Sequence, residues 1–227
     1  MTTTVAAFDV DGTLTDRDCV VPFMRRVTGA PRVAGRLAAR PDRLLPVLAR
    51  RDRDELKSLA AAAAFRGRRI DDLERAGTAF ARFVHENWLR ADTIARLDEH
   101  RAQGHIVVLV SASFEVYLRP LGRLLGVDDV LATRLMVRDG VATGALEGVN
   151  CRGPEKVHRL HSWLDQRLGT GDPATDGRAH SHVVAYGDSA GDREMLADAD
   201  DARWVTATRA MRATRSSRTA THAKATT

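Results

Sequence analysis

The sequence predicts an α/β fold, a parallel sheet with helices on both faces and an all-helical insertion between its first and second strands. Three observations carry this. Apolar runs at residues 5–8, 106–110 and 183–186 read as short buried strands, each stopping where polar residues arrive. After residue 90 strand-like and helix-like segments alternate, as in a parallel sheet. Between Asp16 and Trp88 the residues Ile70, Leu73, Phe80, Val84 and Trp88 recur at helical spacing, and nothing alternates like a strand.

In chain order, the first strand runs into Asp9, Val10, Asp11 and Gly12. Within the insertion, residues 56–65 form an Ala-rich helix. The second strand delivers Ser111, Ala112 and Ser113, with a helix expected from near Ser113 to Leu125 and ended by Gly126. Residues 130–132 suggest a third short strand, and 135–137 with 141–146 flank the hairpin turn Asp139-Gly140. Pro154 opens a helix carrying Val157, Leu160, Trp163, Leu164 and Leu168 on one side and stopping near Gly169. Residues 169–181 read as an exposed loop. The strand at 183–186 delivers Gly187, Asp188, Ser189 and Asp192, and a last strand is expected at 203–206. This divides the chain into a core of residues 1–15 and 90–208, a helical cap of residues 16–89 over the sheet's C-terminal edge, and a basic, disordered tail of residues 209–227.

The 227 residues suffice for one sizeable domain with a smaller inserted one, and a hydrophobic fraction of 44% is ordinary for a folded protein. No apolar run approaches the roughly 20 residues of a membrane span, and Met1-Thr2-Thr3-Thr4 lacks the basic start of a secretory signal. Cys19 and Cys151 are too few for a disulfide framework and lack metal-ligand spacing, so a cytoplasmic location is expected. The net charge of +5 comes from arginines that often sit beside acids, as in residues 50–55, a pattern of solvated helix faces. Nucleic acid is not expected as a partner.

Parallel α/β sheets bind ligands outside the carboxyl ends of their strands. Three strands here end in polar sets: Asp9 with Asp11, Ser111, and Asp188 with Asp192. Burying closely spaced carboxylates is costly unless they are paired or hold a metal. Read singly, each set has a plainer explanation. Asp11-Gly12 suits a turn, Ser111 and Ser189 suit helix N-caps, Lys156 suits a solvated first turn, and Cys151 suits packing. His158 and His161 share a helix and show no matching acid.

Together these residues resemble the haloacid dehalogenase superfamily of phosphatases. Asp9-Val10-Asp11-Gly12-Thr13 is similar to its first motif, Ser111 to its second, Lys156 to its third, and Gly187-Asp188-Ser189 with Asp192 to its fourth, from residue 5 to about 200. The insertion directly after the first motif, and residues 150–156, resemble the phosphoserine-phosphatase-like subgroup. The resemblance implies a Rossmann-like core and a Mg2+-dependent phosphomonoester hydrolase acting on a small polar phosphorylated metabolite. Asp9 would be the nucleophile and Asp11 the acid and base. Asp9, Asp188 and Asp11 through its backbone carbonyl would hold the metal, and Asp192 would hold its waters or Lys156. Ser111 and Lys156 would bind the phosphate.

Cap residues would choose the leaving group, with Asp18, Cys19, Phe23, Arg25, Arg26 and Arg66 as candidates. The chain has Gly12 where phosphoserine enzymes often have serine, and residues 18–25 are also similar to relatives acting on phosphoglycerolipid headgroups. A dehalogenase would have no use for Asp11 or Asp188, and a phosphorylated receiver no use for a cap. A non-catalytic basic binding protein on the same scaffold is the remaining alternative. Monomer and homodimer are both compatible with the sequence.

Overall fold

The computed structural model describes residues 2–50, 52–169 and 177–206. Its elements run β1 (Thr3–Phe8), α1 (Val20–Thr28), α2 (Ala30–Ala38), α3 (Pro41–Arg50), α4 (Arg53–Phe65), α5 (Ile70–Asn87), α6 (Ala91–Ala102), β2 (Ile106–Phe114), α7 (Glu115–Leu125), β3 (Asp129–Arg138), β4 (Val141–Glu147), α8 (Pro154–Leu168), β5 (Ser181–Gly187), α9 (Arg193–Asp198) and β6 (Asp201–Trp204). Short 3-10 turns at Gly177–His180 and Ala190–Asp192 flank β5. The sheet order is β4-β3-β2-β1-β5-β6, parallel throughout except for antiparallel β4.

Strand periodicity divides the core in two. Ala6 and Phe8 of β1, Val107 and Leu109 of β2, and Val184 and Tyr186 of β5 face one side. Val5, Ala7, Val108, Val110, Val183 and Ala185 face the other, where Leu160, Trp163 and Leu164 of α8 and Met195 and Leu196 of α9 cover them. The first side continues into the insertion through Phe23, Phe65, Leu73 and Phe80, so helices α1, α4 and α5 share a core with the sheet. Tyr117 of α7 joins this aromatic cluster, 4.7 Å from Phe23 and 5.3 Å from Phe80 between ring centres.

Backbone pairing attaches the insertion to the core at two places. Where the chain leaves the first strand and where it returns, Thr15 and Leu89 pair antiparallel, and Asp16 N–H and Arg90 N–H donate to the carbonyls of Trp88 and Leu14. The turn between α4 and α5 lies along edge strand β4, with Gly67 N–H on Ala142, Ala142 N–H on Arg68 and Ile70 N–H on Gly140. Such cover blunts an otherwise open edge. Gly144 at φ 87° permits it, since a Cβ there would lie 2.9 Å from the Arg66 Cβ.

Several boundaries differ from the expectation. Strand β2 continues through a register shift between Ser111 and Phe114, so α7 begins at Glu115 and Ser111 is not its N-cap. The pieces expected at 130–132 and 135–137 are one strand, β3. The last strand lies at Asp201–Trp204. The Ala-rich helix starts earlier, at Arg53, because the Asp52 carboxylate accepts from Asp54 and Glu55 N–H. His161 has a matching acid after all, its Nε2 lying 2.7 Å from Asp198 Oδ2. The expected tail and most of the expected loop, residues 170–176, lie outside the described residues.

Arg90 is buried at the neck of the insertion. Its Nη1 donates to Gly12 O at 3.1 Å, its Nη2 to Thr206 O at 3.0 Å, and it pairs with the half-exposed Asp92 at 2.8 Å. Arg90→Met would strip two carbonyls of their donor while Asp92 turns to water. Chemical denaturation should therefore show a loss of about 2–3 kcal/mol; an unchanged midpoint would remove this anchor from the account.

Candidate active site

The register of the central strands sets the site. Phe8 pairs with Leu109 and with Tyr186, so the next residues of β1, β2 and β5 lie side by side. Asp9 N–H still bonds the carbonyl of Tyr186, at 2.9 Å, which holds the Asp9 side chain at the sheet's carboxyl edge. The chain then winds around one oxygen, the Val10 carbonyl, which accepts from the N–H groups of Thr13, Leu14 and Thr15. Gly12 closes this turn at φ 90°, and a Cβ there would lie 2.2 Å from Asp188 Oδ2. The glycine thus serves both the turn and the approach of the fourth motif.

Asp9 is 5% exposed and Lys156 only 1%. Lys156, in the first turn of α8, places Nζ 2.6 Å from Asp9 Oδ1, 2.6 Å from Asp192 Oδ1 and 2.7 Å from Val110 O. Asp192 is held in turn by Ser189, whose N–H and hydroxyl donate to its Oδ2, and Gly187 leaves the room it occupies. Ser189 also caps the 3-10 turn Ala190–Asp192. Asp188 is half-exposed and accepts from Thr13 Oγ1 at 3.4 Å. Oxygens of Asp9, Asp188 and Asp192 lie within 4.8 Å of one another.

Asp11 points elsewhere. Its Oδ1 accepts from Cys19 N–H at 3.0 Å and its Oδ2 from the Ser113 hydroxyl, which in turn accepts from Tyr117 at 2.6 Å. Its carboxylate is outside the three-acid cluster. Ser111 is buried, its Oγ accepting from Ser113 N–H at 3.2 Å and its own hydroxyl proton left to donate.

Burial sets the electrostatics. It pushes Asp9 up to about 7 despite Lys156, with the Asp192 and Asp11 charges adding to the rise. Burial likewise raises Asp11 to about 6, helped by Asp18 and opposed by the Ser113 and Cys19 hydrogen bonds. Asp188 is raised by burial and by Asp192. Burial works against the charge of Lys156, but Asp9 and Asp192 outweigh it and hold the lysine above its ordinary range. Once ionised, the three clustered carboxylates outnumber the one ammonium by two charges, and their oxygens are a hard donor set that fits a divalent cation such as magnesium.

Of the expected cap residues, Asp18 influences Asp11 and caps Val21 N–H at 3.2 Å. Cys19 contributes its backbone N–H, burial pushing its thiol well up, and Phe23 is core. Arg25 and Arg26 are exposed on α1, and Arg26 lies over the Phe83 ring at 5.9 Å. Arg66 is not brought to Asp9 or Asp11; its Nε bonds Thr143 O at 3.1 Å. Sequence reasoning missed Lys57 of α4. Its Nζ donates to Ala112 O, to Thr133 Oγ1 at 3.2 Å and to Asn150 Oδ1 at 2.5 Å, over the Phe114 ring. Burial pulls it down to about 8, with Asp11 the first charge opposing that fall. One helical turn away, Asp54 accepts from Asn150 Nδ2 at 2.6 Å.

Comparison with known proteins gives the chain a family. Residues 6–197 match the haloacid dehalogenase-like hydrolase family. The chain belongs to that family. Protein CicA of Caulobacter vibrioides is 36% identical to this hydrolase over 200 residues, 87% of this chain and 83% of its own length. The phosphoserine phosphatase of Methanocaldococcus jannaschii is 32% identical over 87 residues, 35% of this chain and 41% of its own. A solved Bordetella pertussis protein of unknown function shares the fold at TM-score 0.69 and 24% identity, over 96% of both chains. The hydrolase is of the phosphoserine-phosphatase-like kind, and the enzyme class expected from its sequence, a phosphatase, stands on these relatives. Among the described residues no helix is long and apolar enough to cross a membrane.

The raised carboxyls fix a sign. A buried acid raised in the folded state keeps its proton where the unfolded chain has lost it, so its ionisation destabilises the metal-free fold as pH climbs from about 4 toward 7. A cation must displace those protons, so it binds more weakly as pH falls. The gain in Tm from added magnesium should therefore grow between pH 5 and about 7.5 and vanish in Asp188→Asn. A gain independent of pH, or kept in that variant, would place the cation elsewhere.

Proposed function

We propose that the protein is a magnesium-dependent phosphomonoester hydrolase that works through an aspartyl-phosphate on a small polar phosphorylated metabolite of the phosphoserine type. The observation that carries this reading is the asymmetry of the two acids. Asp9 is held at 2.6 Å by a buried ammonium, while Asp11, two residues on, sits in a separate set of hydrogen bonds. Asp9 lies against a cation, and the metal it would hold would complete its ionisation for attack; Asp11, raised to about 6 and clear of that cation, can exchange a proton.

Asp9 Oδ attacks phosphorus, and the bond to the leaving oxygen breaks. Asp11 gives that oxygen its proton, releasing the alcohol. Asp11 then takes a proton from water as the water oxygen attacks the same phosphorus, the Asp9–phosphorus bond breaks, and phosphate and free Asp9 result. Lys156 Nζ, already against Asp9, compensates the charge of the transferring group, and the Ser111 hydroxyl donates to one of its oxygens. Asp192 fixes the lysine and is itself fixed by Ser189. Asp9, Asp188 and the Asp11 carbonyl would hold the magnesium, which supplies positive charge that lets a carboxylate approach a phosphate dianion. Residues 16–89 would act as the cap over the core of residues 1–15 and 90–208. Lys57, a cap cation whose charge Asp11 helps to keep, supports a leaving alcohol that carries an anionic or hydrogen-bonding group.

The test is release of inorganic phosphate from a panel of phosphorylated metabolites. Wild type should require magnesium, and Asp9→Asn should lose at least about a thousandfold in kcat with its fold intact. Lys57→Met should raise KM for phosphoserine-like substrates about tenfold or more while sparing an aryl phosphate without a second polar group. Full turnover by Asp9→Asn would refute the mechanism. Heparin or DNA binding that survives about 150 mM salt, with no turnover, would favour the basic binding protein instead.

A further inference from the structure

The first three helices of the insertion carry a charge imbalance that the proposed chemistry does not use. Residues 19–50 contain seven arginines and a single acid, Asp42. Among the described residues, only Arg40 of these seven has a carboxylate within ion-pair distance, Asp42 at 3.7 Å. Arg36, Arg40, Arg43 and Arg66 line a groove of about 430 Å³ floored by Leu44 and Leu59, with no acid in its walls. Helix α2 buries none of its residues fully, and α3 buries only Val47. On α3, Leu45 is 63% exposed and Leu48, one turn further, is 50% exposed.

We propose that this part of the insertion docks on a bilayer surface rich in anionic lipids, with Leu45 and Leu48 on the outward side of α3 entering the acyl boundary and the arginines around them on α2 and α3 reaching headgroup phosphates. On α3 the exposed Leu45 and Leu48 lie about 140–200° round the helix from Arg43 and Arg50, and a helix with leucines on one face and basic residues on the other is the form that lies in such an interface. The rival occupants fit less well. A free phosphate would use the arginines and leave the leucines in water. A single-stranded nucleic acid would want aromatic platforms, and the one aromatic residue of this segment, Phe23, is buried. A second copy of the same face would set seven arginines against seven.

The experiment is co-sedimentation of the full chain with vesicles of phosphatidylglycerol mixed with phosphatidylcholine, and with vesicles of phosphatidylcholine alone. Wild type should bind only the anionic vesicles, and more weakly as salt rises from about 50 to about 500 mM. Each arginine near such a surface is worth about fivefold in affinity, so Arg36→Gln/Arg40→Gln/Arg43→Gln should lose about a hundredfold. Leu45→Ser/Leu48→Ser should lose about tenfold at unchanged charge. Both variants should melt cooperatively and keep wild-type turnover of a soluble phosphomonoester. Because they retain the basic residues after Arg209, vesicle binding that survives both would place the contact in that tail and overturn the proposal. So would equal binding to both vesicle types, no binding at all, or loss in the arginine variant alone, which would mean an anion site without a bilayer.

Discussion

Lys156, Asp9 and Asp192 come from three distant parts of the chain and meet with their charges 2.6 Å apart, almost wholly out of water. An ammonium buried without partners would shed its proton, and carboxylates buried without a cation would keep theirs. Each therefore depends on the others, and removing one partner from such a set typically costs about 3–5 kcal/mol. The rest of the edge is arranged around this contact. Helix α8 must begin beside the end of β2 for Lys156 to reach Val110 O, and Gly187 must be bare for Asp192 to approach.

The same contact explains the placing of the insertion. A site with surplus negative charge and a buried carboxylate proposed to attack is better served under cover from water and with positive charge above it. The neck at Thr15 and Leu89, anchored by Arg90 on Gly12, starts the insertion within a few residues of Asp9. The far side rests on the β3–β4 hairpin through Gly67, Arg68 and Ile70. Between these two attachments Asp54 and Lys57 of α4 reach down to Asn150 and the Ala112 carbonyl. The insertion is thus tied to the core at its neck, at its far side and in the middle, where the contact is made by polar groups.

Much of this was legible in the sequence because it is local. The runs at 5–8, 106–110 and 183–186 had to be buried strands, and acids placed at their ends had to share one edge once the strands were parallel. The Asp139-Gly140 turn and Gly126 at φ 65° are short-range chemistry and fell where expected. What was not legible depends on tertiary register. A strand that bulges between Ser111 and Phe114 looks, residue by residue, like a strand followed by an N-cap. Lys57 sits in an Ala-rich helix with nothing nearby to mark it, and its partners lie 55 to 93 residues away. Arg66 carried the right charge for a cap specificity residue, yet the hairpin takes it up. Asp198 for His161 was hidden for the same reason, lying 37 residues on in another helix.

In the proposed reaction Asp9 attacks phosphorus itself. Rapid mixing with a turned-over phosphomonoester and magnesium, acid quenching, and mass spectrometry of the peptides tests it directly. A hydroxylamine-labile phosphoryl group should appear on Asp9, formed and lost within one turnover. Sustained turnover with the phosphoryl group on no residue, or on Ser111 instead, would contradict it.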